Sequence, residues 1–302
     1  MRSAICLANM AVKETLSFDS SAINRLTEDK ESEVLIAAIK TAYSVRLTAT
    51  NVDEIIATPK KKIIGTPAEK RKKRDELLKT CGKLLSVGEC IFPHHFISDV
   101  LVSDYQKHGE SHWSSLRLRS RDYEDLIVRP ELVNKLSVEQ RNFGKRTQKK
   151  FAKTFDGLGR KLERLFKKGT IKRPASFAEL LSILQVPNGA FWQFAAVFYN
   201  HGAKRKPGEK KVRKFITACP PFHAFVLSLV MAEYGYSVRH HKALGSYRAE
   251  RSDLLSALYM PYCDIFVTDD KRQLRCLPEI AAVCCPSVEI LRHADLRKRF
   301  IP

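Results

Sequence analysis

The pattern of apolar and polar positions changes character twice along the chain. At both ends, short apolar runs alternate with amphipathic segments, whereas helical periodicity dominates the middle. The elements predicted for the N-terminal part are strands at 15–18 and 45–50 and helices at 32–42 and 52–57, with another helix directly after Asp19. Ser20 and Ser21 are predicted to cap that helix, and Asn51 to cap the helix at 52–57.

The middle of the chain has almost no strand pattern between residues 60 and 234. Its predicted helices cover 68–85, 137–168 and 177–185, and an aromatic-rich segment follows at 189–199. Alternation then returns, with a helix at 248–259, an apolar strand at 264–268, a helix from 271, a strand at 288–291 and a helix at 293–300. The two ends can pair in one sheet, because parallel strands tolerate long crossover connections.

These patterns predict an α/β fold with a central parallel sheet, interrupted by a large basic helical insertion. The core is assigned to residues 1–58 and 236–302, and the insertion, with helices that complete the core, to residues 59–235. Residues 1–13 are assigned to a leader. They loosely resemble a short signal peptide but lack a good pattern of small residues for cleavage, so a start at Met10 is the simpler interpretation.

Positive charge is the strongest feature of the composition. The 302 residues include 53 Lys and Arg against 33 Asp and Glu, a formal net charge of +20. Segments 59–83, 141–173 and 203–214 hold 30 of the basic and 6 of the acidic residues, so they account for the whole excess. Solvated helix faces are one origin of such runs, but their concentration favours a polyanionic partner, either nucleic acid or an anionic membrane face.

Apolar runs and cysteines indicate the compartment. No stretch reaches the roughly 18 uninterrupted apolar residues of a membrane span, and none of the eight cysteines forms a C-x₂-C pair. We therefore expect free thiols in the cytoplasm and no membrane association. A zinc site built from Cys81, Cys90, His94 and His95 is an alternative.

Acidic residues accompany the predicted strands. Asp19 ends the first strand, and Asp270 closely follows the strand at 264–268. Ligands of open parallel sheets bind outside the carboxyl ends of the strands, so both acids are expected to face one crevice. Glu54 lies in the helix after the second strand, and Asp253 in the helix before the later strand. Clustered carboxylates repel one another unless a cation neutralises them, and Mg²⁺ or Mn²⁺ fits such oxygen ligands.

Four segments with these acids resemble the motifs of the PIN-domain nucleases. They are LSFDSSAINRL with Asp19, TNVDEIIAT with Glu54, SDLLSALYMPYC with Asp253, and IFVTDDKRQL with Thr268 and Asp270. Asp53 replaces Glu54 if the register slips by one residue. The resemblance covers residues 14–58 and 236–302, and the gap between the second and third motifs is far longer than in compact members of the family.

The resemblance implies a three-layer α/β/α core and a metal-dependent endoribonuclease. The acids Asp19, Glu54, Asp253 and Asp270 would bind Mg²⁺ or Mn²⁺. Asp264 and Asp269 would be auxiliary acids or, alternatively, would cap the strand and the following helix. Thr268 would orient a carboxylate or a water molecule. Hydrolysis in this family implies products with a 5′-phosphate and a free 3′-hydroxyl.

Basic side chains are predicted to contact phosphate without reading the nucleotide sequence. They are Lys60, Lys61, Lys62, Lys72, Lys73, Arg74, Lys145, Arg146, Lys149, Lys150, Lys167, Lys168, Lys204, Arg205, Lys206, Lys210 and Lys211. A structured RNA such as tRNA or rRNA would suit a broad cationic surface.

Three other functions share parts of this pattern. A catalytically idle PIN-like module would bind RNA or a protein partner, and a metal-dependent DNA nuclease of related fold would use similar acids. A toxin controlled by an inhibitory protein partner would share the ribonuclease chemistry. Histidine-based cleavage without metal is a further alternative, and it would survive EDTA.

Overall fold

A computed structural model describes residues 13–57, 65–86, 88–91, 102, 105–107, 121–142, 164, 168–169, 172, 174–201, 208–237 and 254–301. Over these residues the chain is mostly helical and contains a small parallel sheet, which makes it a mixed α/β fold. Its strands are β1 (Thr15–Phe18), β2 (Ser44–Thr48), β3 (Glu89–Ile91), β4 (Ile265–Val267) and β5 (Glu289–Leu291).

Helices connect and flank these strands. In chain order they are α1 (Ser20–Glu28), α2 (Ser32–Ala42), α3 (Ala49–Ile56), α4 (Pro67–Leu85), α5 (Arg121–Val128), α6 (Leu132–Lys135), α7 (Val138–Arg141), α8 (Phe177–Leu184), α9 (Ala190–His201), α10 (Glu209–Ala218), α11 (Pro220–Ser237), a 3₁₀ helix (Leu254–Tyr262), α12 (Gln273–Cys284) and α13 (His293–Lys298).

The sheet has the strand order β3-β2-β1-β4-β5, and every neighbouring pair is parallel. β1 is therefore central, with the early strands on one side and the late strands on the other. Leu16 of β1 pairs in register with Ile265 of β4, although 249 positions separate them. The prediction that both ends of the chain pair in one parallel sheet is confirmed.

Two hydrophobic clusters cover the sheet. The first cluster joins β1, β2, α1, α2, α3, α4, α5 and α13, and the second joins α8, α9, α10, α11, the 3₁₀ helix and α12. Ile265 and Val267 of β4 pack in the first cluster, whereas Phe266 packs in the second. Because side chains alternate along a strand, the two clusters lie against opposite faces of the sheet.

Several element bounds differ from the sequence prediction. β3 lies in the region where the sequence shows almost no strand pattern. It has only three residues at the edge of the sheet, which is too short to give a clear alternation of apolar and polar positions. Gly88 precedes it, where a Cβ atom would lie 2.0 Å from the carbonyl oxygen of Val45, so the chain passes very close to β2. The predicted helix at 248–259 is a 3₁₀ helix that begins at Leu254 in the described part. Of the predicted helix at 137–168, α7 lies in the described residues, and most of the remainder lies outside them.

Two predicted caps were placed one to three residues too late. Asp19 caps α1, since its side chain accepts a hydrogen bond from the backbone N–H of Ser21. Thr48 caps α3 and forms a capping box with Asn51, the residue that was predicted to be the cap. Both true caps are the last strand residue or its neighbour, so each strand passes directly into a helix.

No single helix among the described residues is both long and apolar enough to cross a membrane. One pair, Glu209–Ala218 with Pro220–Ala232, passes that test together by length and composition, with a bend of 110° between the two helices.

Candidate functional site

The strand order reverses between β1 and β4. From β1 the chain continues through α1, which packs in the first cluster, whereas α12 follows β4 and packs in the second cluster. Connections that leave neighbouring strands toward opposite faces open a crevice at the carboxyl ends, and ligands bind there in open α/β sheets. Asp19 and the Thr268–Asp270 loop follow these two strands and therefore lie at this crevice.

Asp19 is held at the N-terminus of α1. Its backbone N–H donates to the carbonyl of Val267 at 2.8 Å, which fixes the end of β1 against β4. Its Oδ2 accepts the N–H of Ser21 at 3.0 Å, and its Oδ1 accepts the side-chain amide of Gln273 at 3.2 Å. The residue is only 8% exposed, and a donor on each oxygen compensates for the water that it has lost.

The loop after β4 is fixed by contacts with β5 and α1. Thr268 donates its backbone N–H to the carbonyl of Leu291 at 2.9 Å, and Asp269 donates its own to Oγ of Ser21 at 3.0 Å. The hydroxyl of Thr268 is buried, accepts the N–H of Asp270 at 3.1 Å and lies 3.5 Å from Oγ of Ser21. Ser21 thus joins the start of α1 to this loop.

Asp270 precedes α12 and caps its first turn. Its Oδ1 accepts the backbone N–H groups of Arg272 at 2.8 Å and Gln273 at 3.0 Å. No hydrogen bond from the described part of the chain reaches its Oδ2. One carboxylate oxygen is therefore available to a ligand, while the other holds the side chain in place.

Gln273 contacts both acids, because its backbone binds Asp270 and its side chain binds Asp19. Its Nε2 also donates to Oγ of Ser256 in the 3₁₀ helix at 3.2 Å. Asp253 lies outside the described residues, but this helix begins at the next position. We call the hydrogen-bonded set of Asp19, Ser21, Ser256, Thr268, Asp270 and Gln273 the strand-end network.

α3 carries both candidates for the second motif acid. Asn51 anchors this helix to β1, since its Nδ2 donates to the carbonyl of Phe18 at 2.9 Å. Asp53 is buried, and its Oδ1 accepts the hydroxyl of Tyr123 in α5 at 3.3 Å. Burial raises the pKa of Asp53 to about 7, against the smaller lowering effect of the Tyr123 hydrogen bond. Glu54 is half-buried on the same helix.

The two auxiliary acids lie at opposite ends of β4. Oδ2 of Asp264 accepts both the backbone N–H and the hydroxyl of Thr15 at 2.7 Å, and these bonds lower the pKa of Asp264. Asp264 thus lies at the end of β4 opposite to Asp269, and its carboxylate binds Thr15. Asp269 is at the carboxyl end, and its buried Oδ2 has no hydrogen-bond partner among the described residues.

Sequence reasoning missed His293, a buried titratable residue that begins α13 after β5. Its Nε2 lies 3.7 Å from Oδ2 of Asp29. Burial lowers the pKa of His293, and the negative charges of Asp269 and Asp29 act in the opposite direction. His293 thus adds a polar side chain after β5, the strand next to β4.

Sequence reasoning also missed Gln273, although its position gave a signal. Gln273 is a polar residue on the helix face of α12 that buries Leu277, Ile280 and Ala281. A buried glutamine on an apolar stripe needs hydrogen-bond partners, so the pattern indicates a polar contact inside the fold.

The oxygen ligands of the network suit a hard cation. Mg²⁺ is commonly bound by one or two carboxylates together with water, and Asp19 and Asp270 supply two. No group of three or more His, Cys, Asp or Glu side chains within the described ranges is arranged to hold a metal. Asp253, the third acid of the prediction, lies outside those ranges.

The predicted zinc alternative has little support from Cys81. Its thiol is completely buried in the first cluster, and burial raises its pKa to about 12, which favours the neutral form. Thiolate is the form that binds zinc. The side chain of Cys90 and the residues His94 and His95 lie outside the described part.

The predicted phosphate-binding residues fall into different environments. Lys72, Lys168, Lys210 and Lys211 are exposed, and Nζ of Lys211 lies 5.7 Å from the ring centre of Tyr199. Outside the described residues lie Lys60, Lys61, Lys62, Lys145, Arg146, Lys149, Lys150, Lys167, Lys204, Arg205 and Lys206.

Two residues of the basic helix α4 are engaged within the fold. Lys73 forms an ion pair with Glu28 of α1. Arg74 is 8% exposed and bonds Asp75 at 2.7 Å and Asn134 at 3.0 Å. The guanidinium of Arg74 joins α4 to α6, so Arg74 is less accessible to a phosphate than the exposed lysines are.

No protein-family model, no curated protein and no solved structure matches the chain. A function for the chain is therefore inferred from the residues of the crevice.

Proposed function

We propose that this protein is a metal-dependent endoribonuclease with a PIN-like core. The observation that supports this most is the placement of Asp19 and Asp270 at the carboxyl ends of adjacent parallel strands, on either side of the reversal in strand order. Two carboxylates in a crevice need a compensating cation, and a polyanionic substrate also needs one.

The packing of the sheet supports the proposed three-layer core. Helices of the first and second clusters cover opposite faces of one parallel sheet. In the proposed core the acids come from both ends of the chain, and the segment between them supplies β3, α4 and the helices of the second cluster.

In this proposal Asp19, Asp253 and Asp270 would hold Mg²⁺ or Mn²⁺, and Glu54 would complete the set from α3. A bound ion would supply positive charge that stabilises the negative charge developing at phosphorus. The protein's own groups position the acids: Ser21 binds Asp19, and Thr268 binds the backbone of Asp270.

RNA is the proposed substrate, and the cytoplasm is the proposed setting. The net charge of +20 and the exposed Lys72, Lys168 and Lys210 favour contacts with a phosphate backbone. Such contacts carry no sequence information, so a structured RNA would be selected by its shape.

The test compares wild type with Asp19→Asn on total RNA, tRNA and single-stranded DNA, in Mn²⁺ and in EDTA. Asparagine is also a good N-cap, so this variant should keep α1 and the fold. We expect wild type to cleave RNA only with Mn²⁺ and to leave 5′-phosphate ends, and we expect Asp19→Asn to be inactive.

The other outcomes identify the alternatives. Cleavage that persists in EDTA, or products with 2′,3′-cyclic phosphate, would contradict metal-dependent hydrolysis. Cleavage of DNA alone would indicate a DNA nuclease, and RNA binding without any cleavage would indicate an idle module. Equal activity of both proteins would show that Asp19 is not part of the site.

A further inference from the structure

We propose that Gln273 is a positioning residue that fixes the Asp19 carboxylate and couples it to Ser256 of the 3₁₀ helix. This inference rests on the proposed function, because it concerns how the acids of that site are held. Three contacts carry it: the backbone bond from Gln273 to Asp270 and the side-chain bonds to Asp19 and Ser256.

The amide group suits this position better than any charged group. An ionised carboxylate accepts hydrogen bonds and does not donate them, so the Nε2 side of Gln273 must face Asp19. Nε2 donates to Oδ1 of Asp19 and to Oγ of Ser256, each at 3.2 Å. A lysine at this position would add a positive charge beside the carboxylates of Asp19 and Asp270. A glutamate would place its own negative charge against that of Asp19.

Burial makes these bonds effective constraints. Gln273 is 3% exposed, so water does not compete strongly for its amide. The backbone of Gln273 is fixed by Oδ1 of Asp270 at the first turn of α12. The side chain therefore extends from a rigid point, and its amide sets the orientation of Asp19.

The bond to Ser256 connects the acids across the long gap in the sequence. Ser256 lies three positions after Asp253, within the 3₁₀ helix that begins at Leu254. A movement of this helix would change the contact to the amide that holds Asp19. Gln273 is thus placed to keep Asp19 and Asp270, the acids of the first and fourth motifs, in one arrangement with the 3₁₀ helix.

The experiment measures Mn²⁺ binding by the protein alone, from the electron paramagnetic resonance signal of free Mn²⁺, together with RNA cleavage and thermal unfolding. Gln273→Met keeps the length and the apolar stem of the side chain but removes the N–H donors of its amide. Gln273→Glu keeps the shape but replaces the amide donor by a carboxylate oxygen, which accepts hydrogen bonds. For Gln273→Met we expect Mn²⁺ binding weaker by about 10- to 100-fold, as for other residues that orient metal ligands. Gln193→Met, at an exposed glutamine whose amide donates to Asn188, is the matched control and should bind as wild type.

Ser256→Ala provides a milder test that does not depend on the folding of a Gln273 variant. It removes one hydrogen bond, so Mn²⁺ binding should weaken by about 3- to 10-fold. Ser228→Ala, at a buried serine of α11 that donates to the carbonyl of Phe225, is its control and should leave Mn²⁺ binding unchanged.

The results separate this inference from the proposed function. If wild type neither binds Mn²⁺ nor cleaves RNA, the proposed function fails and this inference fails with it. If wild type does both, and Gln273→Met and Ser256→Ala bind Mn²⁺ as tightly as wild type, the positioning role is overturned while the nuclease remains. Weaker Mn²⁺ binding by a folded Ser256→Ala supports the role even where Gln273→Met does not fold.

Discussion

Asp19 and Asp53 are two nearly buried carboxylates in different surroundings. They are 8% and 6% exposed, and they lie on neighbouring elements of the first cluster. Asp19 is at a helix N-terminus, with a donor on each oxygen. Asp53 is inside α3, where the hydroxyl of Tyr123 binds its Oδ1, and burial raises its pKa to about 7.

The difference shows that two buried carboxylates can be held by different kinds of contact. Hydrogen bonds and the positive end of a helix favour a charged carboxylate, whereas an apolar environment favours the neutral form. The first environment follows from the position of Asp19 directly after a strand. The second follows from the position of Asp53 in the interior of a helix. This contrast favours Glu54 over Asp53 as the second motif acid.

The largest expected effect concerns cleavage by Asp270→Asn and Asp53→Asn. Asp270→Asn removes a negative charge from the crevice but keeps a side-chain oxygen that can accept the N–H groups of Arg272 and Gln273, so the fold should persist. We expect its cleavage of RNA to fall at least about 1,000-fold, since residues that merely orient metal ligands already cost 10- to 100-fold. Asp53→Asn should cleave within about 3-fold of wild type, because Asp53 is buried in the interior of α3, where burial favours its neutral form.

Initial rates in Mn²⁺, with circular dichroism as the folding control, decide between these outcomes. A Glu54→Gln variant completes the comparison. If Asp53→Asn loses activity while Glu54→Gln retains it, then Asp53 is the second acid and the contrast drawn above is wrong.

The next effect concerns stability against pH. The folded pKa of Asp53, about 7, exceeds its ordinary value of 3.8, so the folded state holds this proton more tightly than the unfolded chain does. The protonated Asp53 therefore adds to the free energy of unfolding, and this contribution is fully present below about pH 4. It is lost as the pH rises toward 7, and the loss is a few kcal/mol at most. Asp53→Asn should remove this loss.

Urea unfolding of wild type and Asp53→Asn at about pH 5 and about pH 8 measures the effect. The variant should gain stability relative to wild type at the higher pH. A constant difference between the two proteins across this range would show that Asp53 does not titrate in it.

A smaller effect is expected at Asn51, which links α3 to the strand that ends at Asp19. Asn51→Asp keeps the oxygen that accepts the N–H of Thr48 but loses the donor to the carbonyl of Phe18. We expect a loss of about 2 kcal/mol in the free energy of unfolding, because a buried carbonyl is left without its donor.

Asn142→Asp is the matched control. It also loses an amide donor to a carbonyl, that of Val138, but at an exposed helix end. Its unfolding free energy should change by about 0.5 kcal/mol or less. If the free energy of unfolding falls equally in the two variants, the buried bond from Asn51 to Phe18 contributes no more than an exposed hydrogen bond at a helix end.

Asn51 also shows how far the sequence could predict this site. The strand–acid–helix order was visible in the residues, and so were the strands that carry Asp19 and Asp270, because apolar runs and helical periodicity are local signals. Asn51 was interpreted as a cap, whereas Thr48 is the cap and Asn51 bonds to Phe18 of another strand. That contact joins residues 33 positions apart and has no local signature.

The same reasoning explains the other differences. The role of Gln273 depends on Asp19, which is 254 positions away, and β3 has only three residues at the edge of the sheet. Arg74 belongs to a basic run, but its burial depends on α6. Charge runs and motifs are local signals and could support only an expectation of the chemistry, whereas long-range packing decides which of these side chains are buried or bonded within the fold.

The smallest effect concerns Tyr123→Phe, which tests the environment of Asp53 directly. The variant keeps the ring between α5 and α3 but removes the hydroxyl that donates to Oδ1 of Asp53. This hydrogen bond lowers the pKa of Asp53, so it stabilises the charged form more than the neutral form. We expect a loss of about 1 kcal/mol at about pH 8 and a smaller loss at about pH 5, measured by urea unfolding. Equal losses at both pH values would mean that the hydroxyl contributes packing alone. In that case other contacts would stabilise the carboxylate of Asp53. The difference between Asp19 and Asp53 would then lie only in their positions, at the N-terminus of α1 and in the interior of α3.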